Sequence, residues 1–71
     1  MTASFIQIQL NGEPRQFAAD ATVSVLIDEL ALTRERLAIE LNLDILPRAR
    51  WDATVLHDGD KLEIVHFVGG G

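Results

Sequence analysis

The chain has 71 residues, of which 48% are hydrophobic and 24% are charged. This composition is typical of globular proteins rather than disordered ones, and the length corresponds to one small domain. A domain of this size buries only roughly 60% of its unfolded surface. Little room therefore remains for a deep enclosed pocket, and the chain is not expected to be an enzyme by itself.

Charge and cysteine content exclude further classes. Eleven acidic residues against six basic ones give a formal charge of −5. Nucleic-acid binders need a basic surface, so a nucleic-acid partner is not expected, whereas a basic protein would be attracted. The absence of cysteine excludes disulfides, thiolate metal sites and a cysteine nucleophile. His57 and His66 lack a carboxylate at metal-ligand spacing, so no metal site is predicted.

The amino-terminal residues give no targeting signal. Residues 1–10 contain neither the basic region nor the apolar stretch of a signal peptide. No window approaches the roughly 20 apolar residues of a membrane span. We therefore expect a cytoplasmic protein without a membrane partner, made of one domain over residues 1–68 and a flexible glycine tail over 69–71.

The first third of the chain predicts a β-hairpin. Residues 5–10 alternate between apolar and polar, which is typical of a half-buried strand. The apolar face consists of Ile6, Ile8 and Leu10. Asn11-Gly12 is a dipeptide favoured in two-residue hairpin turns. The return strand is expected over 14–18, with Phe17 directed inward.

A helix is predicted next, with Thr22 as its N-cap. Apolar residues follow at spacings i, i+3, i+4 and i+7, which is one stripe of an amphipathic helix. The stripe consists of Val23, Leu26, Ile27 and Leu30. Val25 lies off the stripe and is expected to be partly exposed.

The second half alternates between strands and turns. Residues 37–41 predict a third strand, and residues 42–44 turn the chain into a short strand at 45–46. Pro47 opens a short helical turn that carries Trp51, which is expected to anchor the core. Asp58-Gly59-Asp60 is a tight-turn signal.

The last strand is predicted over 61–68. Its alternation places Leu62, Ile64 and His66 on one face and Glu63, Val65 and Phe67 on the other. The elements together predict an α+β fold, with a mixed sheet of four to five strands, one main helix packed across it and a short second helical turn. Periodicity leaves the strand order open.

Four segments of the second half resemble the ThiS family, the sulfur-carrier proteins of thiamin biosynthesis. They are Leu-Ala-Ile-Glu-Leu-Asn at 37–42, Ile-Leu-Pro-Arg-Ala-Arg-Trp at 45–51, Val-Leu-His-Asp-Gly-Asp at 55–60 and Leu-Glu-Ile-Val-His-Phe-Val-Gly-Gly-Gly at 62–71. Leu-Asn-Gly-Glu at 10–13 and Thr-Val at 22–23 match the front half, so the resemblance covers nearly the whole chain. Two departures are visible: Leu43-Asp44 replaces a glycine-containing turn, and Leu46 stands where valine is common.

The resemblance implies a ubiquitin-like β-grasp fold and no active site within this chain. It implies that a partner resembling the ubiquitin-activating enzymes uses ATP and Mg to adenylate the carboxylate of Gly71, while the carrier itself binds no cofactor. A sulfur relay from a cysteine desulfurase would then form a thiocarboxylate. Thiazole synthase would take that sulfur into the thiazole ring of thiamin.

The expected site lies at the carboxyl end. Gly71 would supply the reactive carboxylate, and the residues expected to contact partners are Gly69, Gly70, Val65, Phe67 and Val68. Glycine suits a tail that enters a narrow channel, because it has no side chain and wide φ/ψ freedom. Ordering such a tail costs roughly 1–2 kcal/mol per residue, so docking must depend mainly on the folded body. The pattern leaves open whether Phe67 is docking surface or core.

Three other functions remain open. A small subunit of molybdopterin synthase is also a thiocarboxylate carrier. A ubiquitin-like modifier would become attached to lysines. A β-grasp interaction module would have an inert glycine tail.

Overall fold

The computed structural model describes residues 4–67, which form a five-stranded mixed sheet. The strands are β1 (Phe5–Leu10), β2 (Glu13–Ala18), β3 (Leu37–Leu41), β4 (Asp44–Ile45) and β5 (Lys61–His66). The helix α1 (Val23–Glu29) follows the first hairpin, and single 3-10 turns occupy Arg34–Arg36 and Arg48–Arg50. The expected α+β architecture is confirmed.

The first hairpin forms as its turn sequence predicts. Asn11 and Gly12 have φ angles of 51° and 85°, the left-handed pair that a two-residue hairpin turn requires. The return strand begins at Glu13, one residue earlier than predicted. Pro14 lies on β2, which is an edge strand of the sheet, so its missing N–H removes no bond to a further strand.

The helix α1 is capped and buried as its stripe indicates. The hydroxyl of Thr22 accepts a hydrogen bond of 3.3 Å from the backbone N–H of Val25. The stripe residues that lie within the helix are fully buried: Val23, Leu26 and Ile27. Val25 is 43% exposed, as expected for a residue off the stripe.

The strand order, which periodicity left open, is β2-β1-β5-β3-β4. The last strand therefore lies in the middle of the sheet. It runs parallel to β1 and antiparallel to β3. This sheet with one main helix across it confirms the β-grasp expectation.

Three further local features differ from the prediction. The last strand, predicted over 61–68, ends at His66, and Phe67 lies outside it. The second hairpin turn uses only Asn42 and Leu43, both at positive φ, so β4 begins at Asp44 rather than Ile45. The 3-10 turn at Arg34–Arg36 was not predicted, because three consecutive polar residues carry no periodic apolar signal. It is closed by the N–H of Arg36, which donates to the carbonyl of Thr33 at 3.1 Å.

The core lies between the helix and one face of the sheet. Trp51 is 1% exposed, and its indole N–H donates to the carbonyl oxygen of Leu46 at 3.0 Å, which confirms its role as an anchor. The other buried apolar residues are Ile8, Phe17, Val23, Leu26, Ile27, Leu37, Ile39, Leu56 and Leu62. Within residues 4–67, no helix has the length and apolar character needed to cross a bilayer.

Candidate functional site

The predicted site residues divide between the sheet and the carboxyl end of the chain. Val65 and Phe67 are exposed by 53% and 55%, on the sheet face opposite the helix. Phe67 is therefore surface rather than core, and its part in docking stays a prediction. Val68, Gly69, Gly70 and Gly71 lie outside the described residues.

The strand that leads to these residues is bound to the sheet over its whole described length. The backbone N–H of Phe67 donates to the carbonyl oxygen of Arg36 at 2.8 Å. On the other side, the side chain of Asn11 accepts from the N–H of Ile64 at 2.7 Å and donates to the Ile64 carbonyl at 3.3 Å. The chain thus follows a fixed path up to Phe67.

A second asparagine binds the beginning of β5, through its side-chain oxygen and its backbone N–H. The side-chain oxygen of Asn42 accepts from the N–H of Lys61 at 3.0 Å, and the Asn42 N–H donates to the Lys61 carbonyl at 2.7 Å. Asn11 and Asn42 both have φ near +50°, a conformation that asparagine tolerates. Their turn role was recognisable in the sequence, but their bonds to β5 depend on a strand order that the sequence did not specify.

The outer face of the sheet combines acidic and apolar side chains. The register pairs Glu40 of β3 with Glu63 of β5 and, on the other side, with Ile45 of β4. One row therefore crosses three strands in the order Ile45, Glu40, Glu63. Val65 follows Glu63 on the same face and pairs with Ala38. Sequence reasoning missed this row, because the register is needed to bring its members together.

The predicted turn at 58–60 forms, and its carboxylates bind the backbone. Asp58 accepts from the N–H of Gln7 at 2.8 Å. Asp60 accepts from the N–H of His57 at 2.8 Å and from the side-chain amide of Asn42 at 3.1 Å. These bonds close the turn and join it to the sheet. No group of three or more potential metal ligands occurs within residues 4–67.

A polar network lies where α1 meets the two 3-10 turns. The hydroxyl of Ser24, a residue only 6% exposed, donates to the carboxylate of Asp52. Arg34 lies 3.4 Å from the carboxylates of both Asp52 and Asp28. The pKa of Asp52 is lowered, mainly by the hydrogen bond from Ser24 and to a smaller extent by the one from Arg34. The pKa of Arg34 is raised, mainly by its hydrogen bond to the Asp52 carboxylate. Because these charged groups are paired with each other, we interpret the network as structural.

Comparisons with known proteins bear on the whole chain. A model of the ThiS family matches residues 8–71. The sulfur carrier protein ThiS of Bacillus subtilis is 37% identical over 65 residues, which make up 90% of this chain and 98% of that protein. The crystal structure of the thiamine biosynthesis protein ThiS from Geobacter metallireducens superposes with a TM-score of 0.79 at 35% identity, covering 93% of this chain and all of that one.

Some relatives are much longer than this chain. A thiazole synthase of Paramagnetospirillum magneticum is 44% identical over 66 residues, or 93% of this chain. The chain spans only 20% of the length of that protein.

Proposed function

Since the chain belongs to the ThiS family of sulfur carriers of thiamin biosynthesis, we propose that the carboxylate of Gly71 is adenylated and converted to a thiocarboxylate that donates sulfur for thiazole formation. The observation that carries this proposal is the extent of the family match. It runs to residue 71 and so includes the three glycines at the end of the sequence.

The chemistry explains why a carboxylate needs a partner enzyme. Its negative charge repels nucleophiles, and oxide does not leave. When the Gly71 carboxylate attacks the α-phosphate of Mg-bound ATP, pyrophosphate leaves and a mixed anhydride with AMP forms. Bisulfide can then attack the carbonyl carbon. AMP leaves with the C–O bonding electrons, and the thiocarboxylate that remains is a soft nucleophile. The persulfide of a cysteine desulfurase relay would displace AMP in the same way to give an acyl disulfide, and a second thiol would then attack the relay's sulfur, forming a disulfide with it and releasing the thiocarboxylate.

The distance from the sheet to Gly71 supports docking through β5. Gly71 lies four residues beyond Phe67, and four fully extended residues span at most about 14 Å. A partner that binds the carboxylate must therefore also lie close to Phe67 and Val65. Exposed apolar side chains at such a position are suited to contact it.

The proposed partners are an ATP-dependent activating enzyme, a sulfur relay and thiazole synthase. Support for the last comes from the thiazole synthase of P. magneticum, in which a segment like this chain accounts for a fifth of the length. Covalent connection in that protein keeps the two parts close together. We propose that this chain likewise meets a thiazole synthase.

The proposal is tested by intact mass spectrometry. The protein is incubated with the activating enzyme of the same organism, Mg-ATP and sulfide. The expected product is heavier by the difference between one sulfur and one oxygen atom, and fragmentation places the change at Gly71.

The control variant lacks Gly70 and Gly71. It should fold like the wild type, because β5 is bound to the sheet up to Phe67, and it should gain no sulfur. The proposal would be disproved if the wild-type mass stayed unchanged although the same enzyme preparation modified another carrier. So would equal modification of the shortened variant.

A further inference from the structure

We propose that the row of Ile45, Glu40 and Glu63, together with Val65, binds an arginine side chain of the activating enzyme. This inference rests on the proposed function and concerns its first step. The row is unpartnered within residues 4–67 and adjoins the proposed docking residue Phe67 along β5.

Two carboxylates in this row face each other, and neither forms an ion pair within residues 4–67. Glu40 and Glu63 are directly paired on neighbouring antiparallel strands, where Cβ atoms lie about 5 Å apart and like charges destabilise the sheet. Both residues are exposed. Among the described residues, the ion pairs are those of Arg34 with Asp28 and Asp52. Lys61 lies two residues before Glu63 on the same face of β5, but within residues 4–67 it forms no ion pair with either glutamate.

Apolar side chains border the carboxylates on two sides. Ile45 is 78% exposed beside Glu40, and Val65 is 53% exposed next to Glu63. Apolar neighbours that exclude water strengthen a charged contact at the centre of an interface. A planar guanidinium can donate to two carboxylates at once and is weakly hydrated, which favours arginine over lysine.

The net charge of the carrier favours a cationic contact of this kind on its activating enzyme. A chain with a formal charge of −5 must bring a negative carboxylate to the triphosphate of ATP. That approach is repulsive unless the enzyme attracts the body of the carrier elsewhere. An arginine between Glu40 and Glu63 would supply such an attraction within reach of the tail.

The test replaces both glutamates with neutral isosteres. In Glu40→Gln/Glu63→Gln, kcat/KM for pyrophosphate release by the activating enzyme should fall by about tenfold or more, with kcat retained. The decrease of kcat/KM with added salt should become shallower. Folding should be unaffected or improved, as measured by urea unfolding, because a like-charge pair is removed.

The matched control is Glu13→Gln/Glu29→Gln. It changes the net charge equally, but at two exposed residues outside the row. Equal kinetics and equal salt dependence of the two double variants would overturn the inference. It would also be overturned if the row variant lost binding to thiazole synthase while its activation was unchanged.

The inference and the proposed function can fail separately. If wild-type protein gains no sulfur, the proposed function fails. Direct binding of the activating enzyme to the wild type and both double variants, measured without ATP or sulfide, still decides the inference. Weaker binding of the row variant alone supports it, and equal binding of all three disproves it.

Discussion

Leu43 adopts a conformation that suits glycine better than leucine. Its φ angle is 74° and it is 84% exposed, so strain in the backbone is not offset by burial of the side chain. A left-handed conformation costs a non-glycine residue about 1–2 kcal/mol. We expect Leu43→Gly, which creates the favoured Asn-Gly hairpin turn, to raise the free energy of unfolding by about 1 kcal/mol in urea titrations.

The comparison variant for this position is Leu43→Ala. It removes the exposed side chain but keeps the Cβ atom that causes the strain. It should leave the free energy of unfolding nearly unchanged. Equal stabilisation by alanine and glycine would show that exposure of the leucine, rather than its φ angle, is unfavourable.

Asn11 stabilises the strand that leads to the proposed site. Asn11→Gly keeps the backbone conformation accessible but removes both bonds to Ile64. We expect a loss of about 1–2 kcal/mol in the free energy of unfolding, together with faster amide hydrogen exchange at Ile64.

Asp20→Gly is the control for Asn11→Gly, because it also introduces a glycine at a residue with positive φ. Asp20 has a φ angle of 67°, and its side chain makes no hydrogen bond to the other residues of the 4–67 range. If both variants lose the same stability, the Asn11 side chain contributes nothing beyond its turn conformation.

At the scale of elements, the network of Ser24, Asp52 and Arg34 joins α1 to the two 3-10 turns. The pKa of Asp52 is lowered in the folded protein, so its ionised form favours folding. That contribution is fully present above the ordinary aspartate pKa of about 4. It is lost as pH falls through the lowered pKa of the folded state.

Asp52→Asn tests this pH dependence, because asparagine keeps an acceptor for Ser24 but cannot ionise. Urea unfolding should show the variant to be less stable than wild type at pH 7, with a smaller difference below the ordinary aspartate pKa. Asp44→Asn removes the same charge at an exposed residue of β4, outside the network, and is the control for the loss of one negative charge. A difference that is constant with pH would contradict the role assigned to the Asp52 charge.

The elements differ in how far the sequence predicts them. The Asn11-Gly12 turn and the stripe after Thr22 are local signals, and both elements form where they indicate. The pairing of Glu40 with Glu63 is not local, because it depends on β5 lying between β1 and β3. Of the candidate site, alternation places Val65 and Phe67 on the face opposite Leu62 but leaves open whether Phe67 is buried, and the acidic row requires the register.

At the scale of the molecule, the two ends of the outer sheet face can be compared directly. Phe67 is 55% exposed and Phe5 is 61% exposed, but only Phe67 lies next to the tail. Phe67→Ala should lower kcat/KM for activation by about thirtyfold while changing the melting temperature little, because truncation of a hot-spot aromatic residue costs about 2 kcal/mol of binding free energy. Phe5→Ala should leave activation unchanged.

The melting temperatures of Phe67→Ala and Phe5→Ala show whether a loss of activation reflects docking or stability. A large destabilisation by Phe67→Ala would mean that the ring supports the fold rather than docking. Equal loss of activation in both phenylalanine variants would contradict docking at the tail end of the sheet.

The central position of β5 has a consequence for the order of synthesis. Ribosomes make a chain from its amino end, and the sheet lacks its middle strand until residues 61–66 have been released. A chain that ends before residue 61 would contain the strand pairs β1-β2 and β3-β4 but lack the strand that joins them in the sheet. Its core would be exposed. A partner that recognises the complete sheet therefore selects chains whose synthesis has already passed β5, the strand that precedes the three glycines in the sequence.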